Sequence, residues 1–188
     1  MIKPLNLKKN KKGQFGAMLL FFIVIAFVLA AGLAIGILVS SASMFMNEFV
    51  PEIESIGTLS GTGANVTEYS GYALTPLNTF ISSWSWIGGV LYLVALIGLF
   101  GFAIGYKTTM NKWMMGLFIM FALLIIILSI IISNIYQDLY EDNSSFGDSI
   151  KSQKILSFLL LNSPFIMCIV VFASGIILFS GAGQEDMV

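Results

Sequence analysis

KKGQFGAMLLFFIVIAF, Lys11 to Phe27, sets a lysine pair against an apolar run that continues without a charge through Val39. A cleaved secretory signal carries an apolar stretch of only about 7–15 residues. The run from Phe15 is longer, and it reads as a permanent span held in place by the lysines before it. That choice fixes the direction of every later segment.

The composition fits a chain that largely avoids water. Of its 188 residues 57% are hydrophobic and 10% charged, against about 25% charged in a soluble domain, and mean hydropathy is +0.93. A hydrocarbon core of about 30 Å needs about 20 helical residues. Four segments satisfy this: 15–39, 84–106, 113–132 and 155–179. None contains Asp, Glu, Lys or Arg, and each is apolar all round, as lipid-immersed helices are. The expected fold is an all-α membrane protein with four transmembrane helices.

Lysine placement gives the orientation. The tail 1–14 carries Lys3, Lys8, Lys9, Lys11 and Lys12 and no acid, and the loop 107–112 carries Lys107 and Lys112 and no acid. Residues 40–83 carry Glu48, Glu52, Glu54 and Glu68 and no lysine. Lysine-rich loops stay cytoplasmic. Lys8, Lys9, Lys11, Lys12, Lys107 and Lys112 are therefore the topology anchors. Both termini, including the tail 180–188, are expected in the cytoplasm, and 40–83 and 133–154 outside. In the latter loop Asp138, Glu141, Asp142 and Asp148 outnumber Lys151 and Lys154. Trp84, Trp86, Trp113, Tyr106 and Tyr136 fall at the expected span ends, where such rings favour the headgroup level. The expected location is the cytoplasmic membrane or the membrane of a virus-like particle.

The outer segment 40–83 is long for a loop and is expected to be partly ordered. Nothing breaks a helix between Phe15 and Val50, so the first helix can extend to residue 50 as a rod beyond the bilayer. Pro51 is the expected break, because proline disfavours helix at the residue before it. Gly57, Gly61, Gly63 and Gly71 mark turns, and ANVTEYSGY (residues 64–72) offers short paired strands. Asn65-Val66-Thr67 and Asn143-Ser144-Ser145 match the glycosylation acceptor pattern, so Asn65 and Asn143 are candidate modification sites in the two outside segments.

Within the spans, Gly32 and Gly36, then Gly98, Gly101 and Gly105, are spaced to let helix backbones approach closely. Such faces serve either the bundle itself or contacts between copies. The last span contains Pro164, which allows a kinked helix from Ile155 onward or a break. A break is preferred: Asn162 or Ser163 would cap, and Pro164 would sit in the first turn of the true span.

Chemistry is conspicuous by what is missing. The sequence has no histidine, so the commonest general base and metal ligand are gone. All nine basic residues are lysine, which removes the bidentate arginine fork that clamps phosphate. Cys168, alone in an apolar run, reads as a small buried hydrophobe. A net charge of −1 gives no basic surface for nucleic acid. No ionisable residue falls at membrane depth, where transporters keep them. No catalytic residue, cofactor, metal or small-molecule substrate is expected.

Lys11-Lys12-Gly13-Gln14 and the apolar run behind them resemble the class III, pilin-type leaders of archaea. That resemblance implies cutting after Gly13 and a helix able to join a filament core. The chain departs from the pattern by carrying three more spans. Its overall style, lysine without arginine and acidic outer loops, is similar to small multipass membrane proteins of archaea and their viruses. The expected function is a non-enzymatic integral membrane structural or assembly subunit. Its helices and acidic outer segment would pack against like copies or a larger membrane, surface or virion complex. An oligomeric pore of the holin type, with Ser129, Ser133 and Asn134 as its polar face, is one alternative. An accessory subunit of a membrane enzyme complex is another. Expected partners are lipid, further copies or other membrane proteins.

Overall fold

A computed structural model describes residues 11–57, 65–105 and 112–179. They form six helices: α1 (Lys11–Ser55), α2 (Val66–Gly105), α3 (Lys112–Glu141), α4 (Ser145–Ser152), α5 (Lys154–Leu161) and α6 (Ser163–Phe179). No β-strand occurs among the described residues. Among the described residues three helices, α1, α2 and α3, are long and apolar enough to cross a membrane, and the bent pair α5–α6 is a fourth candidate if it counts as one span.

The helices overrun the apolar windows that announce them. At about 1.5 Å per residue, the 45 residues of α1 and 40 of α2 reach about 68 and 60 Å, roughly twice a hydrocarbon core of about 30 Å. Hydropathy marks contact with lipid, whereas a helix stops only where its hydrogen bonding is ended. Pro51 does not end α1, which runs through it for another turn. Gly57 does: at φ +60° it takes the left-handed conformation that closes a helix C-terminus. Gly71 and ANVTEYSGY likewise form neither the turn nor the paired strands expected of them. Gly71 and the stretch from Val66 lie inside α2, because Asn65 caps it: Asn65 Oδ1 accepts the Glu68 N–H at 3.3 Å, and Asn65 O accepts that of Tyr69 at 3.2 Å. Glu68 in the first turn complements the helix dipole. α3 likewise runs past residue 132 to Glu141, and the rest of 133–154 is occupied by α4.

Four helices make a square bundle. α1 packs on α2 and α3, and α6 packs on α2 and α3, leaving α1 and α6 on one diagonal. α1 and α3 run from the lysine end to the opposite, hairpin end; α2 and α6 return. α4 lies against α1 and α3 with Ser145 near Glu48, and α5 crosses α1, α2 and α3 lower down, at the level of Gly36 and Gly89. Between α5 and α6 the chain bends by 70° at Asn162. Pro164 is the second residue of α6, where its missing N–H has no helical partner to lose. Asn162 does not cap with its side chain. Its Nδ2 points back to Phe158 O at 2.8 Å, while its carbonyl accepts the Ile166 N–H at 3.0 Å.

The core follows helical spacing: Met18, Phe21, Ile25 and Leu29 on α1 meet Tyr92, Leu96, Leu99 and Ala103 on α2. Phe22, Phe118 and Phe121 form a ring cluster toward the lysine end, with centroids 5.1–5.4 Å apart. The outside is apolar too: Phe27 on α1, Ile97 on α2, Ile119 on α3 and Ile176 on α6 are each more than half exposed. Exposed apolar surface on every face of a bundle is what a lipid solvent requires and what water penalises.

Candidate functional site: a buried polar seam beneath a polar groove

Where a backbone leaves regular helix inside a bundle, its amides and carbonyls need other partners. The α4–α5–α6 segment leaves it twice, and serines supply those partners. Gln153, in the link between α4 and α5, is fully buried. Its Nε2 donates to Gly36 O at 3.0 Å and Ser40 Oγ at 2.6 Å, both on α1. Ser157 Oγ donates to Ile150 O at 3.0 Å. Its single proton is thereby used, so Tyr136 Oη is the donor in the 2.8 Å contact between the two hydroxyls. Ser133 Oγ donates to Leu161 O at 2.7 Å, and Ser163 Oγ to Ser129 O at 3.1 Å. The seam thus ties α1, α3, α5 and α6 at one level.

Glycines let this level close. A Cβ on Gly36 would stand 3.0 Å from the Tyr136 ring, and one on Gly32 2.5 Å from that of Tyr92. Gly89 matters more: a Cβ there would meet Ile155 Cβ at 2.6 Å and the Leu156 backbone nitrogen at 2.8 Å. Gly175 similarly receives Phe118. Of the residues the sequence marks for helix packing, Gly32 and Gly36 are used inside the bundle. Gly98 and Gly101 face open space, with nothing within 4 Å of an added Cβ. Gly105 closes α2, and its surroundings lie outside the described residues.

Above the seam, α1, α2 and α4 enclose a polar groove of about 490 Å³. Ser43 and Asn47 enter it from α1, Asn78 and Ser82 from α2, and Asp148 and Ser149 from α4. The corner that positions α4 is tightly bonded. Ser144 caps α4, accepting the Gly147 N–H at 3.4 Å, and donates its hydroxyl to Asp142 Oδ2 at 2.6 Å. A side chain on Gly147 would run into the Asp142 carbonyl. The Ser144 hydroxyl and amide hold the Asp142 carboxyl below the usual carboxylate range. Ser145 Oγ reaches Glu48 of α1 at 3.3 Å. On the opposite flank of the α1–α2 pair lies an apolar groove of about 250 Å³ between Leu38, Ala42, Phe80 and Trp84.

Other residues singled out in the sequence stay apart from this site. Asn65 and Asn143 are exposed at the hairpin end. Lys11, Lys12 and Lys112 stand at helix starts at the other end, and Lys3, Lys8, Lys9, Lys107, Tyr106, Gly61, Gly63 and the tail 180–188 lie outside the described residues. Cys168 is half-buried. Ser129 and Ser133 bond inside the chain, leaving Asn134 alone on the surface. Gln153 and the groove residues escaped the sequence reading. Ser43 and Asn47, and Asn78 and Ser82, repeat at i, i+4, a polar stripe that could have marked a face. No family model matches the sequence, and no curated protein or solved structure is similar to it.

Proposed function

We propose that this chain is a four-span integral membrane subunit with a structural or assembly role. Its lysine end faces the cytoplasm, and its long α1–α2 hairpin stands outside as a contact surface. One observation carries this. The hairpin beyond the apolar windows, residues 40–55 and 66–83, exposes Phe45, Phe49, Tyr69, Tyr72 and Phe80, with Phe45 and Phe49 stacked at 5.0 Å. Aromatic surface held out on rigid helices beyond the lipid calls for a protein partner, since water and lipid both leave it uncovered.

The open face at Gly98 and Gly101 fits the same role within the bilayer, where small residues let a second helix approach. Internal use of Ser129 and Ser133 favours this role over an oligomeric pore, whose polar lining would need them. Crosslinking in native membranes tests it. Adducts through cysteines placed at Phe49 and Tyr72 are expected, to another copy or to a distinct membrane protein. A chain that stays monomeric and free of partners at all crosslinker lengths would sink the idea.

A further inference from the structure

We propose that the groove between α1, α2 and α4 is a binding site for a neutral, polyhydroxylated group, either the sugar headgroup of a glycolipid or a free glycan. Its size, about 490 Å³, lies within the range of about 300–1,000 Å³ typical of small-molecule sites. Its lining is unlike most such sites: it consists of serines, two carboxamides and one carboxylate.

Three other ligand classes fit the lining less well. An anion would face Asp148, with Glu48 close by on α1, while the nearby Lys151 is already engaged. Lys151 Nζ lies 3.4 Å from Asp148 Oδ1 and 3.2 Å from Asp142 O. A divalent cation takes 6–8 oxygens, several from carboxylates, and no group of three or more His, Cys, Asp or Glu converges among the described residues. An extended peptide needs pockets for apolar side chains or a free strand edge, and this groove offers neither.

A sugar uses what is there. Ser85 and Ser152 spend their protons on the helix carbonyls of Ser82 and Ser149, at 2.7 and 2.6 Å. Their oxygens are left as acceptors toward the groove they line. The carboxamides of Asn47 and Asn78 bring both a donor and an acceptor, and neither makes a side-chain hydrogen bond to another described residue. Alternating donors and acceptors match the hydroxyls of a sugar ring, each of which gives and takes.

The molecule carries its own reporter. Trp86, exposed and next to the groove-lining Ser85, is that reporter, while Trp84 lines the apolar groove on the other flank and Trp113 starts α3 at the far end. The test uses the purified full chain with Trp113→Phe in phosphatidylcholine nanodiscs. One arm titrates free maltose. The other incorporates digalactosyldiacylglycerol in graded amounts. A saturable fluorescence change in either arm is expected, with a midpoint of about 10 mM or tighter for the free sugar. Response to maltose assigns a free glycan; response to the glycolipid alone assigns a headgroup. Asn47→Ala with Asn78→Ala, both exposed, should weaken the midpoint by about tenfold or more through lost hydrogen bonds. Ser85→Ala serves as the milder variant should the pair disturb the fold. No saturable change in either arm, a midpoint unmoved by these variants, or an equal response to phosphatidylglycerol would overturn the proposal. These readouts use isolated protein, so they stand or fall separately from any partner found by crosslinking.

Discussion

Gln153 is the residue whose removal should be felt most for its size. Its amide donates twice into α1 from a site without water access, while its own oxygen is unpaired. Gln153→Ala leaves Ser40 without its partner and opens a hole, at an expected cost of about 2 kcal/mol. Gln153→Met keeps the volume and also removes the orphaned oxygen. Combined with Ser40→Ala it should cost less than the single alanine, because replacing both partners by apolar groups is nearly neutral. Denaturation in detergent by urea or SDS measures this order; a double variant worse than Gln153→Ala would refute it. A second contrast is between glycines. Gly89→Ala must move the α5 backbone and should destabilise by about 1–3 kcal/mol. Gly98→Ala meets nothing and should leave the fold unchanged or slightly firmer, by about 0.5–1 kcal/mol. If Gly98 serves contacts between chains, the same substitution weakens crosslinked adducts while the single chain stays intact. Asp142 gives a pH response of known sign. Its carboxyl is held low in the fold by Ser144, so its contribution is complete above the ordinary carboxylate value of 3.8 and is lost as pH falls through the lowered one. Protection factors of the Ser144 and Gly147 amides, taken against their intrinsic exchange at each pH, should fall in acid in the native chain and stay constant in Asp142→Asn.

At the level of elements, the bend at Asn162 is held by what surrounds it more than by its proline. The Leu161 carbonyl, freed where α5 ends, is taken by Ser133, and Ser163 returns a bond to Ser129. Pro164→Ala is therefore expected to keep the 70° bend, whereas Ser133→Ala leaves a buried carbonyl unpaired at a cost of about 1–3 kcal/mol. Spin-label distances between α5 and α6 would separate the two: a straightened helix in Pro164→Ala would count against the seam as the cause. Asn162, Ser163 and Pro164 were legible as a break because proline chemistry is local. The ends of α1 and α2 were not. Apolar windows locate the lipid, so Trp84 and Trp86 read as a boundary although α2 begins at Val66. The Asn65–Glu68 cap was in the sequence but hidden by the β-branched and aromatic residues of ANVTEYSGY, which suggest strands. The seam could not be read at all. Its members, Gly36 and Ser40, Ser129 to Tyr136, and Gln153 to Ser163, are distant in sequence and meet only once α5 has folded across α1, α2 and α3.

For the whole molecule, orientation joins the lysines to the aromatic hairpin. The lysine-bearing helix starts lie at one end of the bundle, and Glu48, Asp142 and Asp148 at the other. Positive segments are retained in the cytoplasm, so the proposed topology directs the lysine end inward and the hairpin outward. The lone cysteine makes this simple to measure. With Cys168→Ser as background, single cysteines at Asn65, Asn143 and Lys107 are exposed in intact cells to a membrane-impermeant maleimide. The first two should label at once and the third only after permeabilisation. Replacing Lys8, Lys9, Lys11 and Lys12 by glutamine should then reduce labelling at Asn65, since the charge difference across the first span is what orients it. Labelling of Lys107 in intact cells, with Asn65 protected, would invert the molecule. The hairpin would then face the cytoplasm, and its aromatic surface would have to be matched to an internal partner instead.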